Sequence, residues 1–325
     1  MRTGWAAPAA MAVAILVVIA GHESARADND ALWADCSNAD QHTTNDARIA
    51  ACTALIQLGT LDAEDLSIAY SDRGNAYSHE KDYDRAIADH NEAIRLSPRD
   101  PAGYFNRAAA YLDDKDYGHA IADYSEALRL DPKYAPSYDN RGLAYLGEKD
   151  YDHAIADFSN AIRRDPRFTA AYIHRGTAYE GKKDYERAIA DVDQALRLDP
   201  QNAAYYNARC WYRALQGVNL KSAEADCDRS IELNSQDAHA YGSRGLVDLK
   251  RQDAKAAQDD YDASLKISPK FASSLYGRGI ARKLGPNADT AAGDADIAAA
   301  EAIDADVADT FAGWMGPGFS APASP

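Results

Sequence analysis

Along residues 70–98 the apolar and small positions fall on two stripes, each with helical spacing. Tyr70, Gly74 and Tyr77 stand at i, i+4 and i+7, and after the polar stretch Lys81-Asp82-Tyr83-Asp84 a second stripe carries Ala86, His90 and Ala93. Leu96 and Pro98 close the segment, because proline cannot continue a helix. Small residues at Gly74, Ala86 and Ala93 let two antiparallel helices approach closely, where larger side chains would overpack the contact. The pattern predicts a helix–turn–helix pair that cannot bury its apolar face alone.

The same phrase returns every 34 residues, from Arg107, from Arg141 and from Arg175. A fixed period of this size makes each period one supersecondary unit stacked on the next. Arg-Gly-x-Ala-Tyr, then Ala-Ile-Ala-Asp, then a closing Asp-Pro or Ser-Pro recur in register, and in this the chain resembles the tetratricopeptide repeat family. Six units keep the spacing: 67–100, 101–134, 135–168, 169–202, 203–237 and 238–271, the fifth with one extra residue in its turn. The resemblance implies an all-α fold, a right-handed superhelical solenoid of stacked helix-turn-helix repeats. The expected organisation is an export signal over 1–27, a degenerate, disulfide-stapled repeat over 28–66 and the six repeats over 67–271. A degenerate repeat with a capping helix over 272–315 and a disordered tail over 316–325 complete it.

The register assigns most of the 20 tyrosines to recurring core slots and not to a ligand cage. It also sets Arg73, Arg107, Arg141, Arg175, Arg209, Arg244 and Arg278 on first helices against Asp89, Asp123, Asp157, Asp191, Asp226, Asp260 and Asp296 on second helices. An internal ladder of ion pairs follows, fixing register more than adding stability. Cys210 sits in the slot of Gly74 and Cys227 in that of His90, on facing helices of one hairpin, and Cys36 and Cys52 fall into the same two slots of the first unit. The register therefore selects Cys36–Cys52 and Cys210–Cys227 from the three possible connectivities. In the slot of Tyr77 the later units carry Arg213, Asp248 and Arg282, which adjacent repeats are expected to join as a charge triad.

Composition narrows the function classes. With 46% hydrophobic and 26% charged residues the chain reads as an ordinary globular protein. Its net charge is −16, and removal of residues 1–27 with Arg2, Glu23 and Arg26 takes it to −17. That charge opposes nucleic acid and anionic lipid; it suits solubility, through acidic outer helix faces, and a basic partner. Arg2, the apolar run Ala6 to Gly21 and Ala25-Arg26-Ala27 read as a cleaved signal, with an uncleaved anchor as the alternative. Export makes the protein periplasmic or secreted, with no membrane span once the signal is removed, and an oxidising compartment suits the cysteine pairing.

No catalytic, cofactor or metal constellation is legible: there is no Gly-x-Ser-x-Gly, no His-Glu-x-x-His and no Cys-x-x-Cys. The expectation is a non-enzymatic scaffold without cofactors. The family resemblance implies that first helices line a concave groove, and helical spacing places Asn75, Phe105, Asn106, Leu143, Ile173, Thr177, Trp211 and Leu246 there. Asn75 and Asn106 match two asparagine slots of a carboxylate clamp known in the family, but its basic slots hold Ser71, Pro136 and Asn140. The groove is therefore read as a seat for protein or peptide segments, basic or apolar in character. Trp211 is either its anchor or a packing residue between first helices. The alternatives are a structural or assembly component of an envelope polysaccharide or protein secretion apparatus, recruiting through its outer surface, and capture of a small or glycan ligand.

Overall fold

The computed structural model describes residues 29–38, 42–285 and 288–316, and every regular element among them is an α-helix. The expected signal over 1–27 and the tail beyond Gly316 lie outside the described residues. The chain divides into two compact units, Met1–Glu148 and Lys149–Pro325. The first holds α1 (residues 29–37), α2 (Asn45–Gln57), α3 (Ala63–His79), α4 (Tyr83–Leu96), α5 (Pro101–Asp113), α6 (Tyr117–Leu130) and α7 (Ala135–Gly147). The second holds α8 (Tyr151–Arg164), α9 (Thr169–Gly181), α10 (Tyr185–Leu198), α11 (Ala203–Gln216), α12 (Leu220–Leu233) and α13 (Ala238–Lys250). It continues with α14 (Ala254–Ile267), α15 (Ala272–Leu284), α16 (Thr290–Ile303) and α17 (Val307–Met315). Within each unit consecutive helices pack against one another as antiparallel pairs.

The hairpin turns show why the Lys-Asp phrase recurs. Lys115 takes a left-handed φ of 65°, its N–H reaches Leu112 O at 3.0 Å, and the Asp116 N–H reaches Tyr111 O at 2.8 Å. Those two bonds close α5 as a Schellman motif. Asp116 Oδ1 then accepts the His119 N–H at 3.2 Å and caps α6. A single residue thus ends one helix and begins the next. Asp82, Asp150, Asp184 and Asp253 cap second helices in the same way. The fifth repeat differs: its extra residue yields two left-handed positions, Gly217 at φ 73° and Asn219 at φ 55°, and α12 begins without a side-chain cap.

Three hairpins are welded where a glycine on the first helix meets a larger residue on the second. A Cβ on Gly74 would stand 2.7 Å from the His90 ring, one on Gly245 2.9 Å from the Tyr261 ring, and one on Gly279 2.7 Å from Ile297. In the same pair of slots Cys210 meets Cys227, with sulfurs 2.03 Å apart, and Cys36 meets Cys52 at 2.02 Å. All four cysteines are fully buried.

Six of the expected arginine–aspartate rungs lie inside one unit or the other, and all six form. Nε–H and Nη2–H of Arg73, Arg107, Arg175, Arg209, Arg244 and Arg278 grip both oxygens of the aspartate on the paired helix at 2.6–2.9 Å. Such a fork is the geometry guanidinium favours. Arg141 belongs to the first unit and Asp157 to the second. A further contact was not foreseen: Nη1–H reaches back to the second helix of the preceding hairpin. Arg141 donates to Ser125 Oγ and Arg175 to Ser159 Oγ, each at 2.9 Å, while Arg209 meets Asp193 at 2.6 Å, Arg244 meets Asp228 at 2.7 Å and Arg278 meets Asp262 at 2.8 Å.

The expected charge triad does not form. Arg213 bonds Asp226 and Arg282 bonds Asp296, the ladder acids of their own hairpins, and Asp248 lies 3.7 Å from Arg251. The nearest carboxylate lies within each hairpin, closer than the neighbouring repeat.

Candidate partner-binding site

First helices carry the expected groove residues, and each unit gathers its own. In the first unit the Asn106 amide donates to Ser71 Oγ at 2.9 Å, so an asparagine in a clamp slot is tied to the residue that stands where the clamp would need a basic side chain. Phe105 packs edge-on against Tyr124 and Tyr134 at 5.5 and 5.4 Å, beside a cavity of about 300 Å³ that Asn106 also lines. Asn75 and Leu143 are half-buried on α3 and α7 and do not line that cavity.

The second unit concentrates its groove residues at one place. Ile173 and Trp211 share an apolar cluster, and Thr177 Oγ1 lies 3.4 Å from the Tyr212 hydroxyl. Trp211 and the buried Leu246 line a cavity of about 400 Å³, within the range of ligand pockets. Trp211 is held on two sides: its indole N–H donates to Glu180 Oε1 on α9 at 2.8 Å, and its ring meets Trp314 of α17 edge-on at 4.8 Å. Trp211 packs on a neighbouring first helix, one of its two sequence readings, and also borders an open space.

The electrostatics of this cavity are one-sided. Glu180 and His239 are the acid and imidazole side chains on its wall, and among the described residues neither lysine nor arginine lines it. Burial raises the Glu180 carboxyl above its ordinary range, and the Trp211 hydrogen bond opposes that rise. Two polar oxygens at the wall, Asn207 Oδ1 and the Tyr261 hydroxyl, are buried without a hydrogen-bond partner in the protein. Tyr261 is 2% exposed, wedged between the glycines of α13 and α15.

Trp314 and Phe311 are the site residues that sequence reasoning missed. Their helix was legible as a cap, but it follows the last repeat, so no register assigns its faces. Phe311 and Trp314 at i, i+3 form one apolar edge, which was the available signal. Tyr261 was read as core and is core; that its hydroxyl borders a cavity depends on packing that a repeat register does not describe. Among the described residues no cluster of potential metal ligands occurs, and no helix is long and apolar enough to cross a membrane.

Three models of the tetratricopeptide repeat match this chain, over residues 74–115, 101–134 and 140–203. A comparison with curated proteins finds no match. Among solved structures the chain is similar to a tetratricopeptide repeat protein from Parabacteroides merdae, with 15% identity, TM-score 0.59, and coverage of 82% of this chain and 99% of that one. It is similar to a chain of the APC/C hetero-tetramer Cut9–Hcn1, with 14% identity and TM-score 0.59, and covers 82% of this chain but only 52% of that one. A third similarity is to pilF of Pseudomonas aeruginosa, with 16% identity, TM-score 0.56, and coverage of 65% and 96%. At these identities the likeness is one of fold.

Proposed function

Because this chain is a tetratricopeptide-repeat protein, we propose that it is a non-enzymatic scaffold that holds a segment of a partner protein against its first helices, with the cavity at Trp211 as the anchor point. The observation that carries this reading is the cavity itself: about 400 Å³ of space beside a tryptophan that is already oriented by Glu180 and Trp314. A pre-positioned aromatic side chain loses little freedom on binding, which is why tryptophan dominates binding hot spots. Work outside the cytoplasm is part of the proposal. Two cysteine pairs at disulfide distance fit an oxidising compartment, and the apolar run Ala6 to Gly21 fits an export signal.

The test is affinity capture from an envelope extract with the wild-type protein and with Trp211→Ala. A partner held in the groove is recovered by the wild type and lost by about tenfold or more with the variant, while circular dichroism stays helical. Equal recovery by both proteins removes Trp211 from the site and moves recruitment to the outer face, as an assembly component would use.

A further inference from the structure

The wall of the Trp211 cavity has a chemistry that a general apolar groove does not need. Its aromatic part presents Trp211, Trp314 and Phe311, and its polar part presents Glu180, Asn207 and Tyr261. Both unsatisfied polar atoms identified on that wall are oxygens, and among the described residues its one imidazole is His239 and neither lysine nor arginine lines it. An apolar occupant would offer no donor to Asn207 Oδ1, already buried and unpaired, and an anionic one would face Glu180 with no lysine or arginine beside it. A cation bearing N–H donors meets all three conditions at once. It can donate to the orphaned oxygens, it is attracted by the Glu180 carboxylate, and aromatic faces stabilise a positive charge most where water is displaced.

We propose that this cavity is a subsite for a basic side chain, the lysine ammonium or arginine guanidinium of the bound segment, seated beside the Trp211–Trp314 pair with Glu180 as its counter-ion. This rests on the scaffold reading, and it names the residue type the anchor point receives. The acidity of the chain, at net charge −16, steers such a segment toward the protein. Tyr261 helps to select it. A Cβ at Gly277 would fall 2.7 Å from its oxygen, so the glycine leaves the space the hydroxyl occupies at the wall.

The experiment follows the indole N–H signals of Trp211 and Trp314 by nuclear magnetic resonance in the intact chain. The probes are the N-acetyl methylamides of lysine, arginine and norleucine, with tetramethylammonium as a free cation lacking N–H donors. Saturable shifts with lysine or arginine, weaker by about tenfold or more with norleucine and with tetramethylammonium, support the proposal. Glu180→Gln keeps an oxygen for the Trp211 bond and removes the charge. It should weaken lysine and arginine binding by about tenfold, while Trp314→Ala, on the terminal helix, should weaken both as well. No shifts with either basic probe, equal shifts with norleucine, or tetramethylammonium binding as well as lysine would each overturn it, as would indifference to Glu180→Gln. Failure here with capture still dependent on Trp211 removes the cation subsite and leaves the scaffold. Cation binding with capture indifferent to Trp211→Ala does the reverse.

Discussion

Burial of the His90 ring, with neither nitrogen partnered, pushes its pKa down to about 4, and the nearby Arg107 charge adds to the fall. The folded state therefore refuses a proton that the unfolded chain accepts below pH 6.5. Stability attributable to this residue is full above that pH and is lost as pH falls toward 4, by about 3 kcal/mol across the window. His90→Phe, an aromatic ring without a titrating group, should flatten the corresponding part of the denaturation profile relative to wild type. Asp248 behaves with the opposite sign. Burial, then the adjacent Asp260 and Glu224 carboxylates, raise its pKa to about 7, so its cost appears as pH climbs from near 4 to 7. Asp248→Asn offers Asp260 a donor without a charge; its melting temperature should exceed wild type at pH 8 and match it near pH 4. Sequence register located both residues and misread one. It placed His90 against Gly74 correctly, since a slot is a matter of backbone spacing. It joined Asp248 to Arg213 and Arg282, but long charged side chains choose their partners by reach, and Asp226 and Asp296 were nearer.

The helical hairpin is the element, and its turn was the most legible part of it. Asp116 serves two helices, closing α5 through its N–H and opening α6 through its carboxylate. Asp116→Ala should cost about 1 kcal/mol in chemical denaturation, the ordinary worth of a helix cap, and Asp116→Asn should recover most of it. The same reasoning explains the repeated Asp-Tyr phrase without any metal: an aspartate caps the helix and the tyrosine is its first residue. The terminal helix was harder to read. Its existence followed from composition and position, whereas its placement of Trp314 against Trp211 depends on how α17 packs on α15, for which the 34-residue period contains no instruction.

Across the whole molecule, covalent and ionic links divide the labour. The Cys36–Cys52 bond closes a loop of 16 residues and Cys210–Cys227 one of 17, so each should stabilise the fold by about 3 kcal/mol through restriction of the unfolded chain. Replacing Cys36 and Cys52 together by alanine should lower the unfolding free energy by that amount in chemical denaturation, and non-reducing peptide mapping of wild type should return the two pairs uncrossed. Spacing made those pairs legible because both halves of each bond lie in one hairpin. The backward reach of the arginines was not legible, since it depends on the third nitrogen of a group whose other two were already assigned. That reach bears on how such arrays can be rebuilt. An arginine that meets Asp193, Asp228 or Asp262 on the preceding hairpin finds a second negative charge, while one that meets Thr53, Ser125 or Ser159 finds a neutral hydroxyl. Hairpins with nearly the same sequence are therefore not interchangeable bricks. Each carries on its back a carboxylate or a neutral group that meets the same arginine of any successor, so reordering the hairpins would move the ionic junctions along the array while leaving those arginines partnered.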